Sequence, residues 1–183
     1  PGGKARSLPG PTGPVDAGPT VLTLRDVFDD LFAVSGAALG DCVTLTALPV
    51  LARHFWDDGS RLDLYPDPEA NARAIRAFAG PRAEEQFRAF ARHAASLRAA
   101  FESAVMRAPR PLPGAILRAA LANPALWPAL MPGRSLAADL RMRLDDARLR
   151  QLLGRYATYV GGSPQVAPAV LSLIWQVEES GVW

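Results

Sequence analysis

One cysteine, two histidines and three tyrosines are all that 183 residues hold of those types, and each shortage removes a class of chemistry. Cys42 alone excludes an internal disulfide and any multi-cysteine metal site, and a reducing compartment is the simplest setting for it. His54 and His93 stand isolated in the sequence, and no Ser-His-Asp set, carboxylate pair or metal-ligand cluster accompanies them. No catalytic residue is nominated on that basis, and no metal is expected. Long apolar runs are missing too: hydrophobic residues make up 49% of the chain, yet no stretch approaches the ~20 needed to span a bilayer. A formal charge of +2, with arginines interleaved among alanine and leucine, is not a nucleic-acid footprint.

Glycine and proline are plentiful instead. The chain opens on Pro1 and runs through Gly2, Gly3, Gly10, Gly13 and Gly18, which reads as a start in mid-fold, that is, an internal fragment of a longer protein. A flexible linker is the alternative reading of that composition. Val21 to Leu24 and Val43 to Thr46 read as short strands, with a helix between them whose apolar face carries Val27, Phe28, Leu31 and Phe32. A hairpin follows over 50–65, turning at Asp57-Asp58-Gly59, where Asp-Gly suits positive φ angles. Asp67 is the expected N-cap of the next helix, with Pro68 at its first position and Gly80 at its end. Steps of three and four through Phe87, Phe90, Ala94, Leu97, Phe101 and Val105 predict one long helix over 81–107. Prolines then break the chain into short pieces, and two further helices are expected over 146–160 and 168–179.

Two stretches carry a resemblance. Pro1-Gly2-Gly3-Lys4-Ala5-Arg6, followed by the run from Gly13 through Asp16, Gly18, Pro19 and Thr20 to Thr23, resembles the region after the dinucleotide fingerprint in the FAD-dependent, phytoene-type carotenoid desaturases. The second stretch runs from Arg155-Tyr156 through Tyr159, Gly161-Gly162-Ser163-Pro164 to Trp175, and is similar to their substrate domain. Within that family, residues 49–56 and 175–183 look most like the hydroxyneurosporene or methoxyneurosporene subgroup, which acts on 1-hydroxylated acyclic carotenoids.

The resemblance implies an α+β piece of a two-domain α/β flavoprotein. Residues 1–41 would be part of a Rossmann-like FAD-binding domain, and 42–183 a mostly helical substrate domain with an antiparallel hairpin. Gly2, Gly3, Lys4, Arg6, Asp16, Gly18, Pro19 and Thr20 would lie along FAD, glycines allowing close backbone approach and the cations neutralising the pyrophosphate. Tyr156, Tyr159, Ser163 and Trp175 would line the site of a lipophilic carotenoid. The implied reaction is desaturation with hydride passing to FAD, 3,4-desaturation of a 1-hydroxycarotenoid being the leading form and phytoene or neurosporene desaturation the alternative. The Gly-x-Gly-x-x-Gly turn is absent, so this stretch alone is not expected to turn over. A cytoplasmic protein resting on the membrane face is expected, with Trp127, Leu130 and Met131 as candidate contacts. A non-catalytic helical lipid-binding or interaction domain is the rival of another class.

Overall fold

Asp67, Pro68 and Gly80 delimit a helix for reasons already visible in their chemistry. In the structure, a computed structural model that describes residues 6–18, 21–108, 110, 113–122, 124, 127–131 and 133–183, the Asp67 carboxylate accepts the Glu69 N–H at 2.9 Å. Helix α3 then spans Pro68–Ala79. Gly80 adopts φ 90 and ψ 174, a conformation open essentially to glycine, and both ends α3 and precedes α4, Pro81–Phe101. The stripe on α4 is buried as its spacing requires: Phe87, Phe90, Ala94 and Leu97 have at most 2% exposure. The long helix stops short of the expected 107, because residues Glu102–Met106 continue as a π-helical turn.

Two units divide the described residues. The larger, Pro49–Glu179, opens with the hairpin of β3 (Ala52–Phe55) and β4 (Arg61–Leu64), in antiparallel register with His54 opposite Leu62. Gly59 takes a φ of 78 in the turn, as Asp-Gly predicts, and the Asp58 carboxylate accepts the Ser60 N–H. Leu62 and Leu64 face inward onto α3 and α4, while the Arg53–Asp63 pair lies on the outer face at 2.8 Å. Beyond α4 come α5 (Pro113–Ala122), α6 (Trp127–Leu130), α7 (Leu136–Arg143), α8 (Ala147–Gly154) and α9 (Leu173–Glu179). One apolar core joins the hairpin, α3, α4, α7, α8 and α9, and a smaller cluster gathers Leu97, Phe101, Ala129 and Ala169.

Three expectations are corrected in detail. Helix α7 was not foreseen; Ser135 caps it through the Ala138 N–H, and the buried Leu136, Asp139 and Leu140 supply a spacing too short to stand out between prolines. The helix expected over 146–160 is α-helical only to Gly154 and tightens into a 3-10 helix over Arg155–Val160. The helix expected from 168 likewise begins as a 3-10 turn, Ala169–Ser172, before α9.

The smaller unit takes the described residues up to Leu48 together with Ser180–Trp183. It contains a hairpin of β1 (Ser7–Gly10) and β2 (Gly13–Asp16), helix α1 (Arg25–Val34) and a single turn α2 (Leu39–Cys42). The strands expected at 21–24 and 43–46 do not form. Leu22 instead exchanges two backbone hydrogen bonds with Trp183, at 3.2 and 3.0 Å, and Leu48 donates to the Val182 carbonyl. Pairing from so distant a part of the chain leaves no local signal. Helix α1 buries none of its residues within this unit.

Candidate functional site

Tyr156 and Tyr159 lie three residues apart on the 3-10 helix, whose period of three stacks them on one side. Gly154 and the left-handed Gly161, with φ 66, frame that turn. Both hydroxyls reach Glu178 on α9: Tyr156 donates to Oε2 at 3.1 Å and Tyr159 to Oε1 at 2.8 Å. Arg155 donates to the same carboxylate with both terminal nitrogens, Nη1 at 3.2 Å and Nη2 in a shorter contact, and its guanidinium lies 4.7 Å over the Tyr156 ring. Each carboxylate oxygen thus accepts one phenol and one guanidinium N–H.

That saturation decides what the cluster can do. Burial pushes the Tyr156 hydroxyl well above its ordinary range, and burial with the Glu178 hydrogen bond pushes Tyr159 up to about 12, so both phenols keep their protons. His54, inward on β3, is held below its usual value first by burial and then by the Arg155 charge. Its Nδ1 is buried with no partner among the described residues. The carboxylate and the two phenols offer no free base; they fasten the turn to α9.

The sequence-nominated substrate residues therefore separate in space. Tyr156 is fully buried and Tyr159 is 53% exposed, their rings 6.2 Å apart. Trp175 is fully buried in the core, edge-on to Phe87 at 5.1 Å. Ser163 is exposed, and its carbonyl accepts the Val166 and Ala167 N–H groups. Glu178, which ties the tyrosines together, went unnominated; the only sequence signal was an acidic pair at the end of an apolar helix.

Two hollows share Gln165 in their walls, and the first borders the turn. The first, about 540 Å³, is lined by Arg141, Arg150, Gln151, Arg155, Thr158 and Gln165 among others. The second, about 450 Å³, is mainly apolar, with Phe101, Leu130, Met131, Val166 and Val170 in its wall and Gln165 shared with the first. Both volumes fall in the range of small-molecule sites. Near the second, Trp127 and Met131 are more than half exposed, while Leu130 packs inward on the smaller apolar cluster. No helix among the described residues is long and apolar enough to cross a membrane.

In the smaller unit, Arg6 and Asp16 sit at the open end of the β1–β2 hairpin. The Ser7 hydroxyl donates to Asp16 at 2.7 Å, and the Ala17 N–H to the Arg6 carbonyl at 2.8 Å. The Arg6 side chain is exposed and has no partner among the described residues, and Gly18 follows two residues beyond β2. Gly2, Gly3, Lys4, Pro19 and Thr20 lie outside the described residues.

No protein-family model matches the chain. Individual relatives do: over 183 residues it is 57% identical to the hydroxyneurosporene desaturase of Cereibacter sphaeroides and 55% identical to that of Rhodobacter capsulatus. The chain is a carotenoid-desaturase homologue along its whole length. This homologue spans 37% of the length of each of those two relatives. It is 29% identical over 184 residues to the lycopene-forming phytoene desaturase of Pantoea ananas, covering 36% of it. A helical body with two small antiparallel hairpins is what this stretch of a desaturase homologue contributes.

Proposed function

We propose that this chain is part of an FAD-dependent oxidoreductase that introduces a double bond into an acyclic carotenoid, by 3,4-desaturation of a 1-hydroxycarotenoid. The observation that carries the reading is the gap in identity, 57% to a hydroxyneurosporene desaturase against 29% to a phytoene desaturase, both across the full chain. Residues 1–41 belong, in this reading, to a Rossmann-like FAD-binding domain, and 42–183 to the substrate domain.

The described residues fit a flavin dinucleotide in one respect. Arg6 presents an exposed guanidinium without a carboxylate partner among the described residues, at the end of a glycine-containing hairpin, which suits a pyrophosphate. Asp16, Gly18 and, on the sequence pattern, Gly2, Gly3, Lys4, Pro19 and Thr20 complete that segment. When bound, FAD supplies the hydride acceptor. The chain's own residues have the remaining tasks: Arg6 neutralises charge, and the apolar wall of Phe101, Leu130, Met131, Val166 and Val170 excludes water from a long polyene. Tyr159 and Ser163, each next to a residue that lines the polar hollow, are exposed, and Tyr156 and Trp175 are buried in the core. Trp127 and Met131, exposed, suit peripheral contact with the cytoplasmic membrane face from which an oily substrate is collected.

The test is to purify the protein extended to its relatives' length and supply phytoene, neurosporene and 1-hydroxyneurosporene separately. The expected outcome is a red shift of the polyene spectrum with the hydroxylated substrate above the other two. Conversion of phytoene or neurosporene alone would place the protein with the phytoene-type enzymes, and the absence of bound flavin would favour a non-catalytic lipid-binding domain.

A further inference from the structure

Most arginines of the larger unit are matched to carboxylates. Arg53 pairs with Asp63, Arg88 with Glu69 and Glu84, Arg82 with Asp145, Arg134 and Arg143 with Asp139, and Arg155 with Glu178. Among the described residues Arg141 and Arg150 have no carboxylate partner, and both line the 540 Å³ hollow. The Arg141 side chain makes no hydrogen bond or ion pair with any described residue. Arg150 donates, among the described residues, only to backbone carbonyls, those of Leu144 at 2.9 Å and Asp145 at 2.6 Å. No Asp or Glu among the described residues lines the hollow, whereas Gln151 and Thr158 add neutral hydrogen-bonding groups. Two uncompensated guanidiniums in one concavity create a field that a carbonyl satisfies poorly and a doubly accepting anion satisfies well.

The surroundings say which anion. Met142, next to Arg141, is 72% exposed, and Val160 and Val166 on the flanking loop are 57% and 77% exposed. The apolar hollow lies across the shared Gln165. A cationic hollow beside an apolar one matches a group that is a phosphate at one end and hydrocarbon at the other.

We propose that this hollow binds the phosphate of an anionic phospholipid through Arg141 and Arg150. This rests on the membrane contact in that reading and is measured without turnover, so its failure is distinguishable from failure of the desaturation. Each arginine at an anionic bilayer strengthens binding roughly four- to fivefold, so the pair contributes about 20-fold. Co-sedimentation of the full-length protein with vesicles of phosphatidylcholine, and of equimolar phosphatidylglycerol and phosphatidylcholine, reads that preference at fixed ionic strength. The expected result is about 20-fold tighter association with the phosphatidylglycerol vesicles. Replacing Arg141→Gln lowers it about fivefold, and adding Arg150→Gln abolishes it. Arg141 bonds no described residue, so its single variant keeps the test valid should the double variant misfold. Arg73→Gln, an exposed arginine 3.6 Å from Asp67 on α3, leaves the preference intact. Equal loss in Arg73→Gln would show diffuse charge attraction, and an unchanged preference in Arg141→Gln would remove the site; either overturns the proposal. Saturable binding of inorganic phosphate with no vesicle preference would overturn the lipid assignment.

Discussion

Glu178 gathers three polar side chains of the larger unit. It is 6% exposed and holds Arg155, Tyr156 and Tyr159 at once. Glu178→Ala leaves a largely covered guanidinium and a buried phenol without their acceptor, and costs about 2 to 3 kcal/mol in urea unfolding. Tyr159→Phe, which removes one hydroxyl at the half-exposed edge, costs about 1 kcal/mol. His93 on α4 gives the clearest pH signature. Burial, followed by the Arg143 charge, lowers its pKa to about 4, with Asp139 opposing and Arg134 reinforcing the shift. A base whose folded pKa lies below its unfolded value near 6.5 contributes stability that is complete above pH 6.5 and lost as pH falls toward 4. Stability should therefore drop by about 3 kcal/mol across that window, and His93→Gln should flatten the drop in unfolding curves taken at pH 7, 5.5 and 4. Glu179, whose pKa burial raises, works in the opposite direction: its contribution is present below its unfolded value and is lost as pH rises through the folded one.

Helices α3 and α4 meet at a joint one residue wide. A Cβ added at Gly80 meets no atom within 4 Å, so the cost of a side chain there is purely conformational. Gly80→Ala should lose about 1 to 3 kcal/mol in thermal unfolding, whereas the neighbouring Ala79→Gly should lose only about 1 kcal/mol. At this scale the sequence was readable where signals are local. Asp67-Pro68 with Gly80, the Asp-Gly turn of β3–β4 and the aromatic stripe of α4 each announce their structure within a few residues. The reading failed where the cause lies elsewhere in the chain: the 3-10 tightening after Gly154, and the pairing of Leu22 with Trp183. At the first, Gly154 packs against Pro164, 3.5 Å from where its Cβ would be, a contact ten residues on. The second depends on a partner 161 residues away, which no window detects. The tyrosine pair was visible as a spacing; the carboxylate that employs it was not.

On the scale of the whole molecule, the smaller unit is the less self-sufficient. Helix α1 leaves Leu31 64% and Val34 89% exposed and buries no residue of its own. The larger unit has a continuous core and carries both hollows. The desaturase resemblance was legible from motifs at the two ends, Gly-Gly-Lys-x-Arg with Asp-x-Gly-Pro-Thr at one and Arg-Tyr-x-Thr-Tyr-Val-Gly-Gly at the other, and the relatives agree with it. The division of roles among those residues needed coordinates, because Tyr156 and Trp175 are covered while Arg141 and Arg150, unmarked in sequence, line a hollow. The central claim is that hydride leaves a hydroxylated carotenoid for a flavin held by this protein. Anaerobic mixing of the purified full-length protein with 1-hydroxyneurosporene tests it most directly, followed at the yellow flavin band and the polyene bands together. Loss of the flavin band in step with a polyene red shift is the predicted result; a red shift with the flavin band unchanged, or no change in either, would contradict it.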